Sequence, residues 1–383
     1  MHSDNIAIHA LMRELPPIIT SAIAKLMFQL TAFEGKFPAA CSEQGRYPLT
    51  DNTDWTTGFW SGITGLAWQL SADPFFLTHL EAQADSFRHR LDAQQDIDTH
   101  DLGFLYSLSC VNAWRFNGNR AARNTALRAA DHLTDRYLPV ATIIQAWGDL
   151  NDPQQQGRMI IDCLMNLPLL YWATHETGVE KYAQYAAAHV RQAKNFLLRE
   201  DYSTFHTFYV DVHSGAPVKG TTHQGYADSS CWARGQAWAL YGFALSYRAT
   251  EERDFLYAAK ESAHYFLNHL PEDGICHWDL ALQTPGTHKD SSAAVIAACG
   301  LLEIAGCLSV LDPDRPYFIQ QALKIAATLF KDYISLDLDT GGYLKHAVYN
   351  MNKGRGVDEY CTWGDYFFFE LLSRLHSPLT HYW

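Results

Sequence analysis

The sequence predicts an all-α protein whose helices close into an (α/α)6 barrel, and three observations support this fold class. Apolar residues recur with helical spacing through most of the 383 residues. Six apolar stretches rich in Gly, Ala and Ser each follow a segment that combines polar and aromatic residues. More polar helical stretches alternate with them. Because a helix that is hydrophobic on all sides is enclosed by others, this alternation predicts a ring of helical hairpins.

The predicted helices follow in order along the chain. A first amphipathic helix covers Pro16–Phe33 and serves as the outer partner that closes the ring. The six inner helices belong to segments that begin at Asn52, His100, Ile161, Cys231, Lys289 and Thr362. The outer helices include Ala121–Tyr137, Lys181–Leu198, Phe255–Leu270 and Tyr317–Tyr333. Since the polar segment always precedes its inner helix, all six N-terminal ends are expected on one face of the ring.

The segments between the helices carry predicted β-structure at that face. Ser203–Thr221 alternates aromatic and polar residues around a turn, which indicates a β-hairpin. Gly274–Asp279 and Gly341–Tyr349 have the pattern of shorter strands, and Tyr349–Tyr360 has that of a glycine-containing loop. No linker segment interrupts this order, so a single domain spanning residues 1–383 is expected.

Composition and charge restrict the classes of function. A net charge of −13 argues against a nucleic-acid groove and against binding to an anionic membrane. Eight cysteines without CxxC pairs favour buried thiols in a reducing compartment. The N-terminus lacks a basic segment followed by a long apolar core, and no membrane span is predicted. We therefore expect a cytoplasmic protein, or a periplasmic one if a signal peptide has been removed.

Aromatic residues point to a carbohydrate-binding cleft. The chain has 11 Trp, 20 Tyr and 20 Phe. Several of them stand beside Gly, His, Asp or Arg in loop-like segments, where rings can stack on sugar faces. The sequence has no nucleophile elbow, phosphate-binding loop or dinucleotide motif. No histidine pair has the spacing of metal ligands, so neither a metal nor another cofactor is expected.

Two aspartates are the candidate catalytic residues. Asp162 lies among apolar residues in MIIDCLM, where burial raises a carboxyl pKa and allows the group to hold a proton near neutral pH. Asp101 begins another apolar helix, and two carboxyl groups in unlike surroundings can divide acid and base roles. Helix capping is the alternative for both, since each precedes a periodic apolar run.

The N-terminal face of the ring is expected to gather these aspartates with other polar and aromatic side chains. The candidates on this face are Asp54, Trp55, His100, Asp101, Trp147, Asp162, His206, Gln224, Arg234, Trp238, Asp290, Trp363 and Asp365. Together they offer proton transfer, anion binding and ring stacking in one cleft.

Eight segments resemble, in order, the unsaturated glucuronyl hydrolases of glycoside hydrolase family 88. They are NTDWTTGFWSG, HDLGFLYSLS, IIQAWG, IIDCLMNLPLL, HTFYVD, THQGYADSSCWARGQAWALYGFA, DSSAAVIAACGLLEIA and TWGDYFFFE, and the match runs from about residue 50 to about residue 375. The family's fold is an (α/α)6 barrel, which agrees with the repeat count.

The resemblance implies an enzyme that releases the Δ4,5-unsaturated uronic acid from the non-reducing end of glycosaminoglycan oligosaccharides left by polysaccharide lyases. In the family's mechanism an acid protonates carbon 4 of the vinyl ether, water adds at carbon 5, and the hemiketal opens to expel the remaining glycan. An unsaturated rhamnogalacturonyl hydrolase, with the same chemistry on pectin fragments, is one alternative. A non-catalytic sugar-binding toroid is another, although binding alone does not need an acid pair.

The resemblance also implies residue roles. Asp162 matches the family's general acid and base, and Asp101 matches the second acidic residue, which contacts substrate hydroxyls and raises the pKa of Asp162. The matched substrate-binding residues are Trp55, Trp147 and Trp238 for stacking, His206, Gln224 and Arg234 around the uronate and the attacking water, and His100. Arg234 is the expected partner of the uronate carboxylate, because its fork can bind two oxygens.

Several of these assignments have structural alternatives. Trp238 lies within an inner helix, where core packing is the alternative explanation of an indole. Arg234 could pair with a neighbouring aspartate instead of a substrate, and His206 could be a surface residue. Lys353 and Arg355, in the loop before the sixth inner helix, are predicted to contact a sulfate on the neighbouring sugar, with a solvated basic loop as the alternative. A monomer or weak homodimer is expected.

Overall fold

The computed structural model describes residues 2–377 and Trp383, and its helices alternate between an inner and an outer layer. The first six are α1 (His2–Ala32), α2 (Thr57–Ser71), α3 (Pro74–Asp92), α4 (Leu102–Tyr106), α5 (Asn112–Asn117) and α6 (Arg120–Asp135). The next are α7 (Cys163–Asn166), α8 (Pro168–Thr177), α9 (Lys181–Gln192), α10 (Ala233–Thr250), α11 (Arg253–Asn268), α12 (Ser291–Cys307), α13 (Asp314–Thr328) and α14 (Thr362–His376). Short π-helical turns at Ser107–Val111, Ala193–Leu197 and Leu329–Tyr333 continue α4, α9 and α13.

The inner layer closes on itself. Going round the ring, α2 contacts α4, α4 contacts α7, α7 contacts α10, α10 contacts α12, α12 contacts α14, and α14 contacts α2. The helices α1, α3, α6, α9, α11 and α13 pack outside this ring against their inner partners. The (α/α)6 barrel predicted from the repeats is therefore confirmed.

Small residues allow the inner helices to approach closely where the candidate aspartates lie. A Cβ atom on Gly58 of α2 would overlap the carbonyl group of Phe104 in α4. A Cβ atom on Gly103 of α4 would overlap the backbone of Asn166 in α7. Since these helices pack backbone to backbone, their N-terminal ends are held side by side.

Short antiparallel strands cover the face at the N-terminal ends of the inner helices. The paired strands are β1 (Phe37–Pro38) with β2 (Leu49–Thr50), β3 (Tyr137–Leu138) with β4 (Ile143–Ile144), and β5 (Arg158–Ile160) with β6 (Thr207–Val210). The others are β6 with β7 (Pro217–Thr221), and β8 (Ala347–Asn350) with β9 (Arg355–Glu359). The hairpin predicted at Ser203–Thr221 is thus confirmed as β6–β7, and β5 adds a third strand to it.

Two predictions about these inserts are wrong. Gly274–Asp279 contains isolated bridges at His277 and Asp279 but no strand. The segment Tyr349–Tyr360, predicted to be a loop, forms most of the β8–β9 hairpin. Its glycines mark the turn, where Gly354 has a φ of +59°, and the flanking residues pair as strands.

Helix α1 is longer than predicted, because it begins at His2 and continues through Pro16 instead of starting there. A proline is common in the first turn of a helix, which is why it suggested a start. Within α1, Leu11–Ala32 is long and apolar enough to cross a membrane by length and composition. In this structure its Lys25 is buried and donates to the carbonyl of Gly342 at 2.9 Å, so this stretch packs against the ring.

Candidate active site

Asp101 and Asp162 occupy the N-cap positions of α4 and α7, but neither side chain makes a capping hydrogen bond. Asp290, at the start of α12, shows the contrast. Its carboxylate accepts hydrogen bonds from the backbone N–H groups of Ser292 at 3.1 Å and Ala293 at 3.3 Å. Helix capping therefore explains Asp290 but not the pair formed by Asp101 and Asp162.

The two carboxyl groups meet at one imidazole. His100 Nε2 lies 3.5 Å from Asp101 Oδ1 and 3.3 Å from Asp162 Oδ1. The His100 side chain is 2% exposed, whereas those of Asp101 and Asp162 are 14% and 17% exposed. The three groups present their ligand-type atoms within 4.8 Å of one another, which would also suit a small cation. An N–H group between two carboxyl oxygens explains the same spacing, and we assign no metal ligand here.

The surroundings of the two aspartates divide their roles. Burial raises the pKa of Asp162 well above its usual value, and the neighbouring charge of Asp101 raises it further. Burial also raises the pKa of Asp101, but the polar side chains of Thr99 and Asn166 oppose this effect. The Thr99 hydroxyl donates to Asp101 Oδ2 at 2.9 Å. Asp162 is therefore the carboxyl group suited to hold a proton, and Asp101 is the one that ionises more readily.

Trp55 forms a wall of the cleft next to Asp101. Its indole N–H donates to the hydroxyl of Tyr349 in β8 at 3.1 Å, and its ring stacks on Trp363 with the centroids 5.3 Å apart. Trp55 and Asp101 both line a cavity of about 600 Å³. This volume is in the usual range for small-ligand sites, of about 300–1,000 Å³. The indole is thus held from two sides while part of its ring remains exposed.

Trp147 is brought to the same region through the backbone, because it forms a β-bridge with Thr99. The guanidinium of Arg158 lies 4.8 Å from the centre of its ring, and the imidazole of His223 meets it edge-on at 5.9 Å. The half-buried indole is therefore fixed in orientation close to Asp101, as a stacking residue requires.

His206 is a buried donor and not a surface residue, since only 4% of it is exposed. Its Nδ1 accepts the backbone N–H groups of His223 at 2.8 Å and Gln224 at 3.0 Å, so Nε2 carries the hydrogen. Burial, helped by nearby basic groups, lowers its pKa well below the usual value. The His206 carbonyl accepts the N–H of Ile161 at 3.0 Å, which places this neutral imidazole beside the strand that leads to Asp162.

Arg234 does not have a free guanidinium fork, so the prediction of a direct contact with the uronate is corrected. Its terminal nitrogens donate to Asp290 Oδ2 (3.2 Å), the Val348 carbonyl (2.6 Å), Gln224 Oε1 (2.6 Å) and the Tyr349 carbonyl (2.8 Å). The group lies between the rings of Trp232 and Trp363, and the side chain is 1% exposed. Pairing with an aspartate, the alternative considered from the sequence, is what the structure shows. Because Gln224 Oε1 accepts a hydrogen bond from Arg234, the side-chain NH2 group of Gln224 is available to the cleft.

The prediction that Trp238 is a stacking residue is also corrected, because this side chain belongs to the core and not to the cleft wall. It is 1% exposed and packs between Phe104 and Phe367, with centroids 5.5 Å from each. Phe104 in turn packs against Trp55. Trp238 therefore supports the stacking wall from behind, through Phe104.

Lys353 and Arg355 lie at the exposed turn of the β8–β9 hairpin. The Arg355 guanidinium lies 4.7 Å from the centre of the Tyr349 ring, and neither cation has an ion pair among the described residues. The side-chain amide of Asn352 donates to the Gly225 carbonyl at 2.8 Å. This contact ties the basic turn to the segment that carries Gln224.

Three residues of the site were missed by sequence reasoning. The Thr99 hydroxyl donates to Asp101, and the Asn166 amide donates to the Asp162 carbonyl at 3.3 Å. Asn166 stands four residues after Asp162, a helical spacing that would have placed both on one side of α7. Tyr349 holds Trp55, but no local pattern signals a contact between residues so far apart in sequence.

A carboxyl group whose pKa is raised well above its usual value, beside a second carboxyl group at the base of an aromatic cleft, is the arrangement of a glycoside hydrolase. Residues 31–303 match the family model described as Glycosyl Hydrolase Family 88. The chain belongs to this family, in agreement with the resemblance found in the sequence.

Known relatives agree over nearly the whole chain. An unsaturated glucuronyl hydrolase from Bacillus sp. (strain GL1) is 45% identical over 92% of this chain and 94% of its own length. A crystal structure of the unsaturated glucuronyl hydrolase from Bacillus sp. GL1 has a TM-score of 0.94 and 43% identity, covering 96% of this chain and 98% of the other. An unsaturated chondroitin disaccharide hydrolase from Streptococcus pyogenes serotype M1 is 40% identical over 94% of this chain and 91% of its own length.

A solved complex with a ligand is also similar. It contains a variant of the unsaturated glucuronyl hydrolase from Streptococcus agalactiae complexed with dGlcA-GalNAc6S. It has a TM-score of 0.86 and 37% identity, covering 97% of this chain and 94% of the other.

Proposed function

We propose that this chain releases the Δ4,5-unsaturated uronic acid from the non-reducing end of lyase-generated glycosaminoglycan oligosaccharides. The relatives act on unsaturated glucuronyl and chondroitin substrates by name, which supports this function over the pectin alternative. The observation that carries the proposal is the pair of carboxyl groups around His100, in which burial and the neighbouring Asp101 raise the pKa of Asp162.

The chemistry follows from that proton. Asp162 protonates carbon 4 of the vinyl ether, and the ring oxygen stabilises the positive charge at carbon 5. Water then adds at carbon 5 and gives a proton to the Asp162 carboxylate, after which the hemiketal opens and expels the remaining glycan. The nearest carboxyl oxygens of Asp101 and Asp162 lie within 4.8 Å. They are closer than the about 5–9.5 Å that separates the carboxyl groups on either side of the anomeric carbon in ordinary glycosidases.

The other residues position the substrate in this scheme. Trp55 and Trp147 stack on sugar faces. The Nε2–H of His206 and the amide of Gln224 contact the uronate carboxylate or the attacking water. Arg234 acts indirectly, because it holds Gln224 and the β8 backbone in place.

The pH dependence of kcat/KM tests the coupling between the two aspartates. We expect kcat/KM to fall as the pH rises through the raised pKa of Asp162, because the proton donor is lost. Since the charge of Asp101 raises that pKa, Asp101→Asn should move the alkaline limb of the kcat/KM profile to lower pH. It should also lower the rate. Initial rates measured across the pH range would check this. A limb that stays in place or moves to higher pH would contradict the coupling.

Sulfate recognition by the basic turn is a separate prediction. Lys353→Ala and Arg355→Ala should each raise KM for a sulfated disaccharide by about two- to fivefold, the usual effect of an exposed charge pair. KM for the unsulfated disaccharide should not change. Lys331→Ala, on the outer layer and 81% exposed, is a matched control. Equal losses on both substrates would remove the sulfate contact.

Activity against a panel of unsaturated disaccharides tests the function itself. The purified chain should abolish the absorbance of the double bond in chondroitin- or heparin-derived disaccharides, and faster than in pectin-derived ones. Faster turnover of the pectin substrate would favour the rhamnogalacturonyl alternative. Saturable binding without loss of absorbance would favour the non-catalytic toroid.

The wider setting of the protein is also part of the proposal. We infer that residues 1–383 form one catalytic domain that works as a monomer or weak homodimer in the cytoplasm. Its acidic net charge of −13 supports the expectation that neither nucleic acid nor a membrane surface is a partner. The proposed chemistry needs no cofactor, since every proton transfer is assigned to Asp162.

A further inference from the structure

Five buried polar atoms of the carboxyl pair, His100 and the nearby His189 have no hydrogen-bond partner among the described residues. They are His100 Nδ1, His100 Nε2, Asp101 Oδ1, Asp162 Oδ1 and His189 Nε2. Buried polar atoms are nearly always paired in folded proteins, so a cluster of exceptions at a catalytic site needs an explanation. His189, in the outer helix α9, is the member that the mechanism has not used.

His189 has a defined tautomer. Its Nδ1 accepts the backbone N–H of Ile144 at 2.8 Å, so the hydrogen of the neutral ring is on Nε2. The residue is fully buried, and burial, followed by the proximity of His100, lowers its pKa to about 3. His189 is therefore a neutral group with one N–H to donate.

His100 binds the same short segment. Its backbone N–H donates to the carbonyl of Ala146 at 2.6 Å, two residues after the Ile144 N–H that His189 binds. Burial, followed by the charge of Arg136, lowers the pKa of His100 to about 3, so its ring has one hydrogen to place. On Nε2, that hydrogen points at the carboxyl pair. On Nδ1, it would leave the Nε2 lone pair facing the ionised Asp101, 3.5 Å away.

We propose that His189 is a positioning residue that donates from Nε2 through one buried water to His100 Nδ1, and thereby fixes His100 as the Nε2–H tautomer. In that tautomer the Nε2–H group of His100 faces Oδ1 of Asp162 and Oδ1 of Asp101, with Nε2 3.3 Å and 3.5 Å away. Asp162 Oδ1 is held inside the protein, and Oδ2 is the oxygen that delivers the proton in the cleft. This inference rests on the proposed role of Asp162 as proton donor.

Two variants separate the donor from the rest of the His189 side chain. In His189→Gln the amide nitrogen reaches about as far as the imidazole Nε2, so it can still donate to the water. In His189→Asn the shorter amide can accept the Ile144 N–H but cannot reach the water. We expect His189→Asn to lower kcat by about tenfold, the equivalent of one lost hydrogen bond, with little change in KM. His189→Gln should restore kcat to within about threefold of the unmodified enzyme.

Nitrogen NMR on isotope-labelled histidine measures the tautomer without substrate, with the His100 signal assigned by its loss in His100→Gln. We expect His100 to carry its hydrogen on Nε2 in the unmodified enzyme and in His189→Gln, and a mixture of tautomers in His189→Asn. A hydrogen on Nδ1 in the unmodified enzyme would overturn the proposal. So would equal losses of kcat in the two variants, which would indicate a merely structural role. Because the tautomer is read in the resting enzyme, this result does not depend on whether Asp162 proves to be the acid.

Discussion

Asp162→Asn should lower kcat by about two to four orders of magnitude, the usual contribution of a positioned general acid. An asparagine has nearly the same shape but no carboxyl proton to give to carbon 4. Binding of the unsaturated disaccharide should persist, because Trp55, Trp147 and His206 are unchanged. Absorbance assays of initial rates would give kcat, and calorimetric titration with the disaccharide would give its Kd.

A matched control uses the same substitution a short distance away. Asp98 is exposed, lines the same cavity as Trp55 and precedes Asp101 by only a few residues. Asp98→Asn should leave kcat within about twofold, since a solvated carboxylate at the rim transfers no proton and surface changes have small effects. Normal turnover by Asp162→Asn would remove Asp162 as the acid and with it the proposed mechanism.

Asp162→Asn should also change how the free energy of unfolding depends on pH. Because the folded pKa of Asp162 is raised, the folded state binds more protons than the unfolded state between the ordinary and the raised pKa. The free energy of unfolding therefore decreases as the pH rises through that window, and an asparagine removes this decrease. We expect Asp162→Asn to be at least as stable as the unmodified protein at neutral pH. Thermal unfolding across the pH range would check this, and a clearly lower Tm at neutral pH would mean that Asp162 also has a structural role.

The ring and its carboxyl pair could be predicted from the sequence because both depend on local patterns. Repeated helical segments define the barrel, and a polar segment before each inner helix places Asp101 and Asp162 on one face. The apolar flanks of Asp162 also predict its raised pKa, through burial. These properties belong to residues close together in the chain, where periodicity and composition are informative.

The partners of Arg234, Trp238 and His189 could not be predicted in the same way. The guanidinium of Arg234 is bound by carbonyl groups of Val348 and Tyr349, more than a hundred residues away, and backbone acceptors leave no trace in side-chain chemistry. Trp238 lies on α10, which is buried on all sides from Ala233 to Ser246, so periodicity cannot tell which side faces the cleft. His189 belongs to an outer helix, where a histidine gives no sign that it approaches a catalytic centre.

Arg234→Met should lower the free energy of unfolding by about 3–5 kcal/mol, because it leaves the buried carboxylate of Asp290 without its cation. The substitution also removes hydrogen bonds to Gln224 and to the carbonyls of Val348 and Tyr349. We therefore expect KM to rise as Gln224 and the β8–β9 hairpin lose their common support. Urea unfolding would give the stability change, and steady-state kinetics would give KM.

A double-mutant cycle separates the ion pair from the other contacts. Asp290→Asn keeps a good N-cap residue for α12 while it removes the charge, so the double variant Arg234→Met/Asp290→Asn should recover part of the lost stability. Arg88→Met, at an exposed ion pair on α3, is the matched control and should change stability by less than about 1 kcal/mol. If the two buried substitutions prove additive, the Arg234–Asp290 pair contributes little, and the stabilising role of Arg234 rests on its hold on Gln224 and the β8 backbone.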